Sequence, residues 1–211
     1  MHVELPIRNR ISFQWSHGLW LFLLLLSGIL QLSGQVPNWR FDRAMISSGD
    51  YWLLLSGNIV HLNWSHWGLN IAGLGIVAFF FSNYASVFRW LFVVMVSAIF
   101  VGVGLFWFNP EIMTYVGLSG VLHGLFIYGA SREIRVYRTS GYALMVLLIG
   151  KLIWEMLFGA LPGSEELTAG RVVTDSHLYG AIGGALAALL LWLFDQRVQV
   201  KDRQQNTEHD Q

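Results

Sequence analysis

The chain contains no cysteine among its 211 residues. This absence excludes disulfide bonds, thiolate metal sites and a cysteine nucleophile. Charged residues are also scarce: they make up 12% of the sequence, whereas roughly 25% is usual in soluble domains. Because 13 basic residues balance 13 acidic ones, the formal net charge is zero, and no electrostatic attraction to nucleic acid is expected.

Long apolar runs take the place of the missing charge, and hydrophobic residues make up 55% of the sequence. Six runs are long enough, or nearly so, to cross a hydrocarbon core, which takes about 20 residues. We therefore predict an all-α, polytopic membrane protein with six transmembrane helices. The predicted spans are 13–32, 59–81, 87–108, 116–130, 142–161 and 177–194.

The six spans form a single domain over residues 12–195, with an N-terminus of residues 1–11 and a polar tail, expected to be frayed or disordered, over 196–211. Because cytoplasmic loops are enriched in Lys and Arg, the basic residues predict the orientation. Nine lie on the side of both termini and three on the other, so both termini are predicted to be cytoplasmic. The nine are Arg8, Arg10, Arg89, Arg132, Arg135, Arg138, Arg197, Lys201 and Arg203; the three are Arg40, Arg43 and Arg171.

Polar residues cluster where three of these spans begin. His61, His66 and Asn70 lie near the start of the second span, Ser119 near that of the fourth, and His177 at that of the sixth. In the predicted orientation all three starts face the outer side of the membrane. Ionisable residues at membrane depth are costly and indicate a functional site by default.

The fourth span is short. At 1.5 Å per residue, 15 residues reach about 22 Å, less than the roughly 30 Å of a hydrocarbon core. Arg132 and Arg135 fix its cytoplasmic end, so its start should lie below the outer surface. Non-helical backbone at that depth requires protein or a water-filled cavity beside it. We therefore predict that Ser119 lies at the floor of a wet pocket.

A serine hydroxyl becomes a nucleophile when a base removes its proton, and histidine suits that task. His177 is the candidate base for Ser119. No acidic residue is predicted to complete a triad, since Asp175 is exposed in its loop context. A Ser-His dyad is the more economical interpretation.

Small residues are predicted to bring the two together. Glycines four residues apart let one helix face pack closely against a neighbour. Such a pair follows the histidine on the sixth span, and the fourth span is glycine-rich around the serine. The glycines are Gly180 and Gly184 on the sixth span, and Gly117, Gly120 and Gly124 on the fourth.

Hydrolysis of an acyl group also needs donors for the oxyanion. His66 and Asn70 are four residues apart, on one helix face, and the backbone N–H of Ser119 at a helix start can join them. His61 lies off that face and is predicted to hold the first loop by hydrogen bonds. His123, one turn after Ser119, is predicted to stack beneath the base.

The same residues allow other interpretations. The glycines could serve packing alone, and a buried histidine is often structural. Histidines at membrane depth could bind a metal or haem, but that would leave Asn70 and Ser119 unexplained, so we expect no metal and no cofactor. A small-solute transporter would show inverted repeats, and the sequence contains no such duplication.

Three patterns in order carry a family resemblance: H-x4-H-x3-N on the second span, GxSG on the fourth and H-x2-G-x3-G on the sixth. Over residues 12–195 the chain resembles the rhomboid intramembrane serine proteases, and the resemblance implies a rhomboid-like bundle. It implies Ser119 as nucleophile, His177 as base, and His66, Asn70 and the Ser119 amide as the oxyanion hole. His61 corresponds to the structural histidine of the family.

Two features depart from many rhomboids. Their Trp-Arg pair shortly precedes the second-span histidines, whereas Trp39-Arg40 lies further upstream here. Their tyrosine four residues after the serine is replaced by His123. The run Gly-Leu-Ser-Gly-Val-Leu-His-Gly-Leu over residues 117–125 is similar to the rhombosortase branch, which is associated with proteins that end in a Gly-Gly motif, a hydrophobic span and a basic tail.

The resemblance implies a serine endopeptidase of the bacterial inner membrane, with its active site open to the periplasmic side. Its partners would be membrane-anchored proteins with C-terminal Gly-Gly sorting tails. The alternative is a non-catalytic, rhomboid-like binding or quality-control module. Inactive relatives commonly lose the serine or the histidine, and this chain keeps both.

Two charged residues lie in the middle of the fifth span. Lys151 and Glu155 are four residues apart and are predicted to pair on one helix face. The pair could be structural, or it could contact the substrate tail or a gate. The sequence leaves both open.

Overall fold

The computed structural model describes the backbone of residues 15–209 and, within them, the side chains of residues 17–198. The predicted N-terminus, residues 1–11, lies outside the described residues. The α-helices of the described part are α1 (Trp15–Leu32), α2 (Val36–Trp39), α3 (Arg43–Ser47), α4 (Leu53–Ser56), α5 (Trp64–Phe81), α6 (Val87–Phe108), α7 (Ser119–Val136), α8 (Arg138–Phe158), α9 (Ser164–Thr168) and α10 (Thr174–His209), and a 3₁₀-helix covers Ser82–Tyr84.

The prediction of an all-α membrane protein is confirmed. Six long helices, α1, α5, α6, α7, α8 and α10, correspond to the six predicted spans. Within the described residues, four segments are long and apolar enough to cross a membrane, and α1 contributes a shorter apolar helix, His17–Leu32. The four are Trp64–Tyr84, Val87–Phe108, Arg138–Phe158 and Thr174–Val198. The count of six spans stays a prediction.

Helix α7 differs from the predicted span 116–130. It begins at Ser119 and continues to Val136. A prediction from hydropathy ends a span at the first charged residues. The helix itself can continue past them where the charged side chains have hydrogen-bond partners. Glu133 is such a residue: it is buried and accepts hydrogen bonds from the hydroxyls of Tyr84 and Ser140.

As far as residue 209, the polar tail also differs from the expectation of a frayed or disordered segment, because α10 runs on to His209. Residues 195–209 contain neither glycine nor proline, and eight of the fifteen are Gln, Arg, Lys or Glu, which favour helix. The helix is held where it leaves the apolar segment, since Arg89 of α6 donates to both carboxylate oxygens of Asp195.

Two tryptophan rings and one tyrosine ring meet within the largely aliphatic core of the bundle. Trp90 of α6 is fully buried and lies edge-on to Trp20 of α1 at 5.2 Å and to Tyr128 of α7 at 4.9 Å between ring centroids. This contact joins α1, α6 and α7 below the level at which α7 begins.

The segment between α1 and α5 is folded against the end of α6. It contains the strand β1 (Phe41–Asp42), which pairs antiparallel with β2 (Thr114–Tyr115). Arg43 donates to four carbonyl oxygens at and just beyond the C-terminus of α6, a region where a helix has few intrahelical donors for its carbonyls. The acceptors are Leu105 at 2.7 Å, Phe106 and Asn109 at 2.8 Å and Ile112 at 3.0 Å. Arg43 therefore anchors the first loop to the C-terminus of α6.

Replacing Arg43 with methionine is expected to destabilise the protein by about 3 kcal/mol, because several carbonyls lose a charged donor. Thermal unfolding in detergent micelles measures the loss. Arg40→Met is the matched control: its guanidinium pairs with Asp42 while its side chain is 40% exposed, so its removal should cost at most about 1 kcal/mol. Equal losses in the two variants would contradict the anchoring role.

Candidate active site

The three polar regions of the sequence meet at the N-terminal ends of α5, α7 and α10. Ser119 is the first residue of α7, and His177 lies in the first turn of α10. The Oγ of Ser119 is 3.0 Å from Nε2 of His177, a hydrogen bond in which the hydroxyl donates to the ring. His177 is 5% exposed, so little water competes for this contact.

Close packing of glycines brings α10 onto α7. Gly180 lies against the carbonyl oxygen of Gly120, and Gly184 lies against that of Gly124. A Cβ atom at either position of α10 would overlap the backbone of α7. The approach of the histidine to the serine therefore depends on the absence of side chains here.

The turn before α7 has a conformation that favours glycine. Gly117 has φ of +130°, a value that other residues rarely adopt. Its N–H donates to the carbonyl of Gly57 at 3.0 Å, and its carbonyl accepts from the hydroxyl of Tyr115 at 2.7 Å. The Tyr115 phenol is a donor in its ordinary protonated form, and burial raises its pKa further.

His66 and Asn70 lie against this turn. A Cβ atom on Gly117 would be 2.8 Å from Nε2 of His66 and 4.0 Å from Nδ2 of Asn70. The backbone N–H of Leu62 donates to Nδ1 of His66 at 3.4 Å, so Nε2 carries the proton of the neutral ring and can donate. Two side-chain donors thus lie beside the start of α7, whose first N–H groups have no acceptor within the helix.

His61 is buried at 0% exposure, edge-on to the His66 ring at 5.3 Å between centroids. Within residues 17–198, neither ring nitrogen of His61 has a hydrogen-bond partner. The expectation that His61 holds the first loop by hydrogen bonds is therefore wrong for this part of the chain. Its ring contact instead limits the orientations open to His66.

His123 lies where the sequence predicts, beneath the ring of His177. The two rings are stacked, 4.2 Å apart and inclined by 15°. Nδ1 of His123 is 2.7 Å from the carbonyl oxygen of Ser119. Since a carbonyl can only accept, Nδ1 carries the proton, and Nε2 accepts from the ammonium of Lys151 at 2.9 Å.

Glu155 is the residue that the sequence reasoning missed. One carboxylate oxygen accepts from Nδ1 of His177 at 2.9 Å, and the other accepts from Lys151 at 2.7 Å. The predicted Lys151–Glu155 pair is confirmed, but the expectation that no acidic residue reaches His177 is wrong. Asp175 is exposed as expected, and it accepts from Asn109. The feature of the sequence that points to Glu155 is a carboxylate in the middle of an apolar span.

The group His123, Glu155 and His177 has ligand atoms within 4.8 Å of one another, as a metal site would. The ammonium of Lys151 lies among them, 2.9 Å from His123, 2.7 Å from Glu155 and 3.4 Å from His177. A metal ion would have to displace this charge. The lysine supplies the cation that the three side chains surround.

A cavity of about 990 Å³ opens over the serine and the histidine. Polar groups line its inner end: Ser119, His177, His66 and Asn70. Apolar side chains line the part between α5 and α8, with α7 as its floor: Leu69, Ile76, Val77, Leu122, Phe126, Leu144, Leu147 and Leu148. An apolar peptide segment could enter between α5 and α8 and place one bond at the polar end.

Residues 48–194 match the family model described as Rhomboid domain. The match covers more than half of the chain and includes every residue that lines the polar end of the cavity. No curated protein and no solved structure matches the chain.

Proposed function

Since the chain belongs to the rhomboid family, whose members are generally serine intramembrane proteases, we propose that it is an intramembrane serine endopeptidase. Ser119 is its nucleophile and His177 its base. The observation that carries the proposal is the 3.0 Å contact between Oγ and Nε2 at the end of a cavity. A non-catalytic rhomboid-like module has no use for this pair, which the chain retains.

The reaction follows from this contact. Ser119 Oγ attacks the carbonyl carbon of the scissile bond while its proton passes to Nε2 of His177. The tetrahedral intermediate collapses, the C–N bond breaks, and the leaving amine takes the proton from Nε2. Water then attacks the acyl-enzyme, giving one proton to His177, and the serine leaves with that proton restored.

Three donors are proposed for the oxyanion: Nε2 of His66, the side-chain amide of Asn70 and the backbone N–H of Ser119. Their support is the packing of His66 and Asn70 against Gly117, and the position of Ser119 at the start of α7. Donors fixed before the reaction stabilise the developing charge without reorganisation.

Asn70→Ala is expected to lower the cleavage rate about 10²- to 10³-fold, the usual loss when one oxyanion donor is removed. The folded protein should persist, because the amide donates to the His66 carbonyl within the same helix. Initial rates at saturating substrate, with thermal unfolding as the check on folding, measure the effect. Asn38→Ala, on an exposed residue, should leave the rate unchanged. An undiminished rate for Asn70→Ala would remove it from the oxyanion hole.

The substrates are proposed to be membrane-anchored proteins with a C-terminal Gly-Gly motif, a hydrophobic span and a basic end. The rhombosortase-like run over residues 117–125 and the apolar cavity between α5 and α8 support this class. The enzyme is proposed to span the bacterial inner membrane six times, with both termini cytoplasmic and the active site open to the periplasm. The count of basic residues on each side supports this orientation.

A fluorophosphonate probe tests the nucleophile without a known substrate. The serine oxygen bonds to phosphorus, fluoride leaves, and the proton goes to His177. Mass spectrometry of the labelled protein should locate the adduct on the peptide that contains Ser119. An unlabelled protein, or an adduct elsewhere, would contradict the proposed function.

A tagged reporter that ends in a Gly-Gly motif, an apolar span and a basic tail tests the substrate class. Co-expression should produce a shortened reporter whose new C-terminus, read by mass spectrometry, lies near the Gly-Gly motif. A reporter with the glycines replaced by leucine should stay intact. Equal cleavage of both reporters would contradict the Gly-Gly preference while leaving the protease activity standing.

A further inference from the structure

We propose that Glu155 is a positioning residue for His177 and that Lys151 holds Glu155 in place, so that the serine and histidine work within a triad and not as a bare dyad. The inference rests on the proposed function. It concerns the two charged side chains in the middle of α8, which the dyad mechanism leaves without a role.

The tautomer of His177 is the first step. Nε2 can take the proton of Ser119 only if it is unprotonated, so the proton of the neutral ring has to be on Nδ1. Oε2 of Glu155 lies 2.9 Å from Nδ1 and accepts that hydrogen bond. Without an acceptor at this position, both tautomers of the ring would be populated, and one of them cannot act as a base.

The second step is charge. The Glu155 side chain is 4% exposed, and a buried carboxylate needs a charged or hydrogen-bonded partner. Lys151 supplies it through Oε1 at 2.7 Å, so the pair has no net charge at membrane depth. Oε2 is left for His177, and its charge stabilises the imidazolium that forms when the serine gives up its proton.

The hydrogen bonds close into a ring. Ser119 donates to His177, His177 donates to Glu155, and Lys151 donates to both Glu155 and His123. His123 closes the ring of hydrogen bonds by donating to the carbonyl of Ser119, and its side chain stacks on the ring of His177. A pair that served α8 alone would not reach two other helices and return to the nucleophile.

The same geometry predicts what Glu155→Gln does. The ammonium of Lys151 requires an acceptor, so the amide oxygen of the glutamine turns to the lysine. The amide NH₂ then faces Nδ1 of His177, which has to become an acceptor, and the ring proton moves to Nε2. The variant keeps the volume of the side chain but places the histidine in the tautomer that cannot accept the serine proton.

The experiment compares fluorophosphonate labelling rates of Ser119, per folded molecule, in purified wild type, Glu155→Gln and Glu133→Gln. Glu133 is the matched control: it is a buried, hydrogen-bonded carboxylate, and it lies at the opposite end of α7, about 21 Å from the serine at 1.5 Å per residue. We expect Glu155→Gln to label about 10²- to 10⁴-fold more slowly and Glu133→Gln to label like wild type, whatever either does to thermal stability.

A spectroscopic readout accompanies the rate. In protein labelled with ¹⁵N-histidine, the nitrogen shifts of His177 should report a proton on Nδ1 in wild type and on Nε2 in Glu155→Gln. Should Glu155→Gln fail to fold, the double variant Lys151→Met with Glu155→Gln decides, because it leaves no unpaired buried charge. Its amide is free to turn its oxygen to Nδ1, so its rate should fall on the order of tenfold, a neutral acceptor replacing a charged one.

The outcomes separate the two proposals. A wild-type protein that is not labelled on Ser119 overturns the proposed function, and the triad falls with it. Wild type labelled on Ser119 with an equal normalised rate in Glu155→Gln, or in the double variant if the single one does not fold, overturns the triad alone. In the single variant Glu155→Gln, a slower rate with an unchanged His177 tautomer also overturns it, because positioning of the base is then not the cause.

Discussion

Ser119→Ala is expected to abolish cleavage of a membrane-anchored substrate, and His177→Ala is expected to do the same. Removing the nucleophile or its base from a serine hydrolase typically lowers turnover by about 10⁴- to 10⁶-fold. Ser119→Ala should leave the fold intact, since the hydroxyl bonds to His177 and alanine is favoured in a helix. His177→Ala should cost some stability, because it leaves Glu155 with the lysine as its partner.

Immunoblots of a co-expressed reporter, with mass spectrometry of its C-terminus, measure the cleavage. Ser131→Ala is the matched control on the same helix, since its hydroxyl donates to the Tyr128 carbonyl at 2.6 Å and takes no part in the site. It should cleave like wild type. Retained cleavage by a folded Ser119→Ala protein would contradict the serine mechanism.

The helices that position the site could be predicted from the sequence because their signal is local. Apolar runs of the right length and polar residues at their starts give α5, α7 and α10 without any knowledge of packing. The meeting of Ser119 with His177 was also within reach, because the glycine spacing on α10 indicates a face that packs closely. The predicted C-terminal ends of α7 and α10 are less accurate, because both helices continue past charged residues that have hydrogen-bond partners, as Glu133 and Asp195 do.

The contacts that the sequence could not provide are those between residues far apart in the chain. Arg43 reaches carbonyls more than 60 residues away, and nothing in its neighbourhood indicates that. Glu155 lies 22 residues before His177 on another helix. Its pairing with Lys151, four residues away, already balances the charge of the carboxylate. The sequence therefore gives no sign that Glu155 has a second partner. A carboxylate has two oxygens, and each oxygen of Glu155 has its own partner, Lys151 for one and His177 for the other.

Gly180→Ala is expected to destabilise the protein by about 3 kcal/mol and to lower the labelling rate of Ser119 more than 10²-fold. The added Cβ would overlap the carbonyl group of Gly120. The position of a Cβ atom is fixed by its own backbone, and the atom that it meets is a backbone oxygen, so no rotamer change relieves the overlap. Overpacking of this kind costs about 1–3 kcal/mol or more. Helix α10 has to move away from α7, and a displacement of about 1 Å at reacting groups can cost 10²-fold in rate.

Gly150→Ala on α8 is the matched control, because a Cβ there meets nothing within 4 Å among the described residues. It should unfold at the wild-type temperature or above, since alanine is favoured over glycine in a helix by about 1 kcal/mol. Thermal unfolding and fluorophosphonate labelling of both variants complete the comparison. If Gly180→Ala matches Gly150→Ala in stability and in labelling rate, then close packing of α10 on α7 does not set the distance between His177 and Ser119. A loss of stability and labelling rate in Gly180→Ala alone would show that the absence of a side chain at position 180 sets that distance.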